Sequence, residues 1–565
     1  MRILLLTHAF NSLTQRLFVA LREHGHEVSV EFDIKDSVTE EAVAMFRPDL
    51  VVAPFLNRRI PESVWRKVIC LVVHPGIKGD RGPSALDWAI LEGEREWGVT
   101  VLQADADMDA GDVCESLTFP MRDASKSSLY RNEVSEAAER AVLTIVQRVS
   151  DGTFRPEPLD AGRNDVRGRL RPAMKQADRA IDWQADDTGM IIRKINSGDG
   201  RPGVRDILLD RPVWLYDAHA EDQVTGIPGR VTGRREGAVC VATVDGAVWI
   251  GHARLRDDTR STFKLPAAMV VGDLLERVPE LPVHEGITWR DIRYEERGGV
   301  GMLHFPFYNG AMSARQCQRL RAAFAEARRR DTRVIVLFGG QDFWSNGMHL
   351  GVIEAADSPA DESWRTINAI DDLVHDVITT DSHITIAAMQ GNAGAGGVFM
   401  ALAADRVVAR SGIVLNPHYK GMGNLYGSEY WTYLLPRRAG AANAAAVTQA
   451  RLPMGVAEAG RLGLIDESLD GTAAEFRDQV LERAQALASD PVLPQLLIDK
   501  ACRRAADEAE KPLAAYRGEE LERMRMNFYG FDPSYHVARS NFIRDVAKSR
   551  TPVTIASHRR RVASL

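Results

Sequence analysis

Cysteine is scarce in this chain, with five among 565 residues: Cys70, Cys114, Cys240, Cys317 and Cys502. No two form a CxxC pair and their number is odd, which argues against a disulfide framework and against a thiolate zinc site. A reducing cytoplasm fits that usage. Long apolar runs are missing too, since none approaches the roughly 20 residues that span a bilayer, so no membrane association is expected. There is no excess of positive charge: the formal net charge is −7, which gives no basic field for phosphate backbones and argues against a nucleic-acid partner. No His/Cys cluster shows metal-ligand spacing, and no metal is expected.

What is present is an ordinary globular composition, 45% hydrophobic and 26% charged, in a chain too long for one hydrophobic core. The opening MRILLLTHAF is interrupted by Thr7 and His8 before any small-residue cleavage site, so it reads as a buried first strand. Over the first 120 residues short apolar runs (ILLLTHA, EVSVEFD, LVVAPFL, KVICLVVHPG, WGVTVLQAD) alternate with helical patterns. That alternation predicts βαβ units on a parallel sheet. Asn11 or Ser12 is placed to cap the first helix, whose apolar face is Leu13, Leu17, Ala20 and Leu21. From about 165 the texture becomes β-rich, ELPVHEG reads as a linker, and a second alternating pattern starts near 288. The expected architecture is a multidomain α/β protein. Residues 1–164 form a Rossmann-like catalytic domain, 165–280 a β-rich module, 281–287 a linker, and 288–565 a second α/β domain with a helical tail.

Two stretches carry chemistry. The strand KVICLVV runs into His74-Pro75-Gly76 and a loop that ends Arg81-Gly82, and Asp109 follows in an acidic, Gly-containing turn. A histidine at a strand end and a carboxylate that can orient it make a general acid/base pair. In the second half, FWSNGMHL follows one strand and QGNAGAGGVFMALAADRVVA another. The turn at Gly394 to Gly397 opens a helix, so free backbone N–H groups can face an oxyanion.

The first stretch, HPGIKGDRGPSALDWAI with GVTVLQADADMDAGD, resembles the folate-dependent formyltransferases, and QADRAIDW and IRKINSGDGRPG resemble that family's β-rich second module. The resemblance implies 10-formyltetrahydrofolate as donor, His74 and Asp109 as catalytic residues, and Arg81 and Gly82 as cofactor contacts. The family's Asn two residues before the histidine is Val72 here, which offers no donor for an oxyanion; Asn11 is the candidate replacement, with helix capping as its other reading.

The second pair resembles the enoyl-CoA hydratase/isomerase (crotonase) family over about 288–480, with the backbone N–H groups of Met348 and Gly396 matching its oxyanion hole. That implies a spiral α/β domain binding a coenzyme A thioester, with Asn309, Gly394 and Gly397 assigned to the cofactor. The two hydratase glutamates align with Phe399 and His418, so hydratase chemistry is not expected; Tyr419 and Glu429 are the candidates for proton handling. Arg544 and Arg550 in SNFIRDVAKSR, and the tail Arg559, Arg560 and Arg561, are candidate contacts for coenzyme A phosphates or simply solvated.

A formyltransferase-like half followed by such a crotonase-like half resembles a family of hydrogenase maturation factors. This implies formyl transfer from 10-formyltetrahydrofolate to coenzyme A, decarbonylation of formyl-CoA to carbon monoxide, and [NiFe]-hydrogenase maturation proteins as partners. Hydrolysis to formate or free acid, and a non-catalytic scaffold, are the alternative expectations.

Overall fold

Four consecutive aliphatic residues, Ile3 to Leu6, are fully buried and make the N-terminal run an interior strand. In the computed structural model, residues 1–106, 109–160 and 162–560 are described. They form two units, Met1–Trp289 together with the chain from Ala547, and Arg290–Val546.

In the first unit, β1 (Arg2–Thr7), β2 (Glu27–Phe32), β3 (Leu50–Phe55), β4 (Ile69–His74), β5 (Glu96–Gln103) and β6 (Val113–Pro120) form one sheet in the order β2-β1-β3-β4-β5-β6. The expected parallel pairing holds for β1 to β4. It fails for β5 and β6, which run antiparallel. The chain between β4 and β5 returns to the end of the sheet it left, so no crossover is made. The helix Ser12–Glu23 buries Leu13, Leu17, Ala20 and Leu21, as its 3.6-residue spacing requires.

The β-rich module is antiparallel, built from Val204–Leu208, Arg211–Glu221, Val231–Arg235, Ala238–Ala242 and Ala247–Leu255. Helix Thr188–Ser197 covers its apolar face, with Ile191 and Ile195 packed among Val213, Leu215, Val248 and Ile250. The expected linker is not a free connector. Leu281 N–H donates to Arg234 O at 2.9 Å, and Asp222 N–H to Ile287 O at 3.1 Å. Glu221 accepts from Trp249, His284 and Thr288 at 2.9, 2.7 and 2.6 Å. A buried carboxylate needs such donors, and they fasten residues 281–288 to the module.

The tail is a second correction. Residues 547–560, expected with the second domain, belong to the first unit, where they pack on β2. Val30 N–H donates to Ile555 O at 3.0 Å and Phe32 N–H to Thr551 Oγ1 at 2.8 Å. The reason is chemical: β2 is an edge strand carrying a buried Glu31, and the tail supplies its partners His558, Thr551 and Arg559. Arg559 also pairs with Glu41, and Arg560 donates to Val553 O, so these two arginines are engaged within the protein. Arg561 lies outside the described residues.

The second unit has a six-stranded sheet in which Arg293–Arg297 pairs antiparallel with Val300–Phe305. Val334–Gly339, Ile384–Met389, Arg406–Arg410 and Glu467–Leu469 then follow in parallel. Three of these strands are each followed within a few residues by a short strand of a second sheet: Phe343–Ser345, Asn392–Gly394 and Val414–Asn416. This repeated step stacks the three loops that carry the expected oxyanion and proton-handling residues. Long helices Ala314–Ala327 and Pro359–Ile378 pack beside them, and Leu513–Tyr529 adds Leu513, Met524 and Phe528 to the same core. Among the described residues no helix is long and apolar enough to cross a membrane.

Candidate active sites

His74 ends β4 with its ring buried. The loop after it is held tightly: Trp97 Nε1 donates to Pro75 O at 3.0 Å, and Thr100 Oγ1 to Gly76 O at 2.9 Å. Gly76 is required, because a methyl group there would stand 2.4 Å from His74 Nε2 and 2.6 Å from Asp80 Oδ2. His74 Nε2 lies 2.9 Å from Asp80 Oδ2, and His74 Nδ1 lies 3.7 Å from Asp109 Oδ1. The sequence pairs His74 with Asp109, yet the hydrogen-bonded carboxylate is Asp80. An ionised carboxylate can only accept, so Asp80 places the hydrogen on Nε2. The lone pair then sits on Nδ1, 3.7 Å from Asp109 Oδ1, where it is placed to accept a proton from a substrate. Buried Arg171, its Nε 3.4 Å from Asp80 Oδ1, extends this charge row to the exposed Glu92 at 2.7 Å.

Other expected residues of this half fall out differently. Asn11 Oδ1 accepts from the Thr14 N–H and hydroxyl, both at 3.0 Å, so its oxygen caps the helix; an oxyanion role rests on its amide nitrogen alone. Arg81 is bridged to residues 169–171 through the backbone, its N–H donating to Arg169 O at 3.2 Å and its carbonyl accepting from Arg171 N–H at 3.0 Å. Gly82 has φ +111°, and a methyl group there would stand 2.2 Å from Arg171 O. Its place is thus dictated by backbone packing.

In the second unit the two loops expected to form an oxyanion hole converge. Gly347–Met348 pairs with Ala311–Met312, and a methyl group on Gly347 would be 3.7 Å from Gly396 N. Asn309, with φ 54°, accepts at its carbonyl from Asn346 Nδ2 at 2.8 Å, which holds the Asn-x-x-Met turn against the SNG loop. Ala395 sits at φ 48° and donates its N–H to Asn416 O at 2.9 Å, turning the chain into the helix Gly396–Leu402. Gly394 and Gly397 are closely packed: methyl groups there would meet Asn346 Oδ1 at 2.8 Å and Ser345 O at 2.0 Å.

Tyr419 and Glu429 stand together here. The Tyr419 hydroxyl donates to Glu429 Oε2 at 2.6 Å, and Phe399 stacks on the phenol with centroids 5.3 Å apart. A methyl group on Gly396 would be 2.0 Å from Glu429 Oε1, so this carboxylate lies over the oxyanion turn. Burial, with Asp371 and Glu520 nearby, pushes the Glu429 carboxyl up to about 8. Burial and Glu429 raise the Tyr419 phenol well above its ordinary value. Phe399, expected at one hydratase-glutamate position, is fully buried, and burial lowers the imidazole of half-buried His418, expected at the other. Arg544 is tied to Glu354 at 2.9 Å rather than standing alone.

Sequence reasoning passed over Asp80, Arg171, Asp371 and Glu520. Asp80 was within reach, since an acid in the His-Pro-Gly loop is six residues from the histidine.

The chain matches the Formyl transferase family over residues 1–146, the Formyl transferase C-terminal domain over 173–265, and Enoyl-CoA hydratase/isomerase over 299–526. It is 29% identical over 253 residues, 44% of its length, to 76% of the methionyl-tRNA formyltransferase of Desulfotalea psychrophila. The crystal structure of HypX from Aquifex aeolicus in complex with tetrahydrofolic acid superposes at a TM-score of 0.95 with 47% identity, covering 99% of each chain. Hydrogenase maturation factor HoxX of Bradyrhizobium diazoefficiens is 59% identical over 563 residues, 100% of this chain and 98% of that one. At that identity over the full length, the chain belongs to the HypX/HoxX family of hydrogenase maturation factors, a formyltransferase joined to a crotonase-like domain.

Proposed function

We propose that the chain is a bifunctional enzyme that moves a formyl group from 10-formyltetrahydrofolate to coenzyme A and then splits formyl-CoA into carbon monoxide and coenzyme A. The carbon monoxide would serve [NiFe]-hydrogenase assembly. The observation that carries this reading is the buried Tyr419–Glu429 pair lying over Gly396, beside Phe399, which stands where the resemblance calls for a hydratase glutamate. Tetrahydrofolic acid in the HypX of Aquifex aeolicus supports the folate half.

In the first site the coenzyme A sulfur attacks the formyl carbon, the bond from that carbon to the folate nitrogen breaks, and the thiol proton passes to that nitrogen. His74 Nδ1 with Asp109 carries the proton, while Asp80 fixes the ring. In the second site the N–H groups of Met348 and Gly396 hold the formyl oxygen. The Glu429 carboxylate removes the formyl proton, the carbon–sulfur bond breaks with its electron pair on sulfur, and carbon monoxide leaves. Tyr419 delivers a proton to the sulfur and is reprotonated from Glu429, so the balance is formyl-CoA to carbon monoxide plus coenzyme A. Glu429, Tyr419 and Phe399 are all buried, and that favours elimination over hydrolysis by keeping water from the carbonyl.

The test mixes purified protein with 10-formyltetrahydrofolate and coenzyme A and follows carbon monoxide by its binding to reduced haemoglobin, omitting each substrate in turn. Carbon monoxide that depends on both substrates is expected. Formate in its place, with the folate still deformylated, would replace the second step by hydrolysis.

A further inference from the structure

Glu429 and Tyr430 are consecutive residues in the left-handed region, at φ 62° and 56°. Side chains are strained there, so something must hold the turn. Two carboxylates from distant helices do. Asp371 Oδ1, on Pro359–Ile378, accepts from Glu429 N–H at 2.9 Å. Glu520, on Leu513–Tyr529, accepts from Tyr430 N–H at 2.9 Å and from Thr432 N–H at 2.8 Å. The Ser428 hydroxyl lies between them, 2.8 Å from Asp371 Oδ2 and 3.3 Å from Glu520 Oε2. Asp371 and Glu520 are each fully buried.

Resting on the proposed decarbonylation, we infer that Asp371 and Glu520 are positioning residues: together they fix the Ser428–Thr432 turn that aims Glu429 at the oxyanion turn, and they set two further carboxyl groups beside its own. Hydrophobic side chains could have filled the space under this turn at lower desolvation cost. Three carboxyl groups share it instead, and among the described residues the cation paired with them is Arg517, 3.8 Å from Asp371 and itself bound to Asp372 at 2.7 Å. Among the described residues, Tyr419, from the loop after Val414–Asn416, and Cys317, from the helix Ala314–Ala327, also face Glu429. One guanidinium cannot neutralise three buried carboxylates, so a proton must be shared among them. Burial and like charge push Asp371 up to about 6 and Glu520 to about 8.

The test uses the full chain with Asp371→Asn and Glu520→Gln, each of which retains an oxygen acceptor for the backbone and removes the charge. Infrared difference spectra against Glu429→Gln identify the carbonyl stretch of protonated Glu429, and its titration midpoint is followed without substrate. We expect the midpoint to fall by roughly one unit or more in each variant, and the pH profile of formyl-CoA breakdown to shift the same way with KM little changed. Asp371→Ala, which also removes the backbone acceptor, should lower kcat with little change in KM, and Asp371→Asn should recover most of it. An unmoved midpoint and pH profile, with only the melting temperature lowered, would overturn the proposal. Should neither isosteric variant fold, the wild-type spectrum decides: the Glu429 band must be present at neutral pH and titrate over a broad range, and its absence overturns the inference. Because the infrared arm needs no substrate, a wild type that leaves formyl-CoA intact sinks the proposed function separately.

Discussion

Glu429 Oε1 stands so close over Gly396 that a methyl group on that glycine would come within 2.0 Å of it. The proposed oxyanion turn and the proposed acid/base group are thus one packed unit, and neither can be altered without moving the other. Gly396→Ala should therefore lose carbon monoxide release, on the order of 100-fold, while tetrahydrofolate release continues. Formyl-CoA should accumulate, which chromatography of the quenched reaction would reveal. Equal loss of both products would contradict the separation of the two steps.

The pH dependence of the second step follows from Glu429 acting as the base. Its carboxyl is pushed up to about 8, so the reactive carboxylate is the minor form at pH 7 and grows as pH rises. Formyl-CoA breakdown should climb through about pH 8 and then level. Tyr419, raised well above the ordinary phenol value, stays protonated throughout. A rate that falls across this range would make Glu429 the acid instead.

For the first step, His74→Ala should abolish tetrahydrofolate release. Asp80→Ala should lower it by roughly 10- to 100-fold, because the imidazole loses the partner that fixes its tautomer. Asp80→Asn should recover part of that loss through its amide oxygen. Stopped-time assays of tetrahydrofolate formation, with circular dichroism to verify folding, would decide this. Full activity in Asp80→Ala would return the orienting role to Asp109.

The tail makes a thermodynamic prediction. Glu31 accepts hydrogen bonds from His558, Thr551 and Arg559, and these hold its carboxyl below the ordinary value of 4.5 against the opposing cost of burial. A carboxylate whose value is depressed by folding contributes stability above its unfolded value, and that stability is lost as pH falls through the folded one. Glu31→Gln should lower the melting temperature at pH 7 and narrow the gap to wild type below about pH 4.5. Differential scanning calorimetry across that range checks both the sign and the window.

Much of the architecture is legible in the sequence because local patterns govern it. The apolar run before His74, the helix face Leu13-Leu17-Leu21 and the glycines at 394–397 each declare a strand, a buried stripe or a tight turn. Tyr419 and Glu429 stand out because they follow a position where the crotonase pattern calls for a glutamate. The supporting carboxylates are hidden for a physical reason. Asp371 in AIDDLVHD and Glu520 in GEELERMRM look like the solvated face of a charged helix, and only the fold reveals that their side chains turn inward. The antiparallel β5 is equally silent, since strand direction depends on where the preceding loop delivers the chain.

The return of the tail to β2 has a consequence for biosynthesis. Ser29 and His558, in contact in the finished protein, are 529 residues apart. At about 5–20 residues per second, the ribosome finishes β2 on the order of half a minute or more before it makes His558. Throughout that interval the β2 edge is an open template for strand pairing, of the kind that invites aggregation. The nascent first half should therefore depend on chaperones, and tags or truncations at the far terminus should first harm the half that was made earliest.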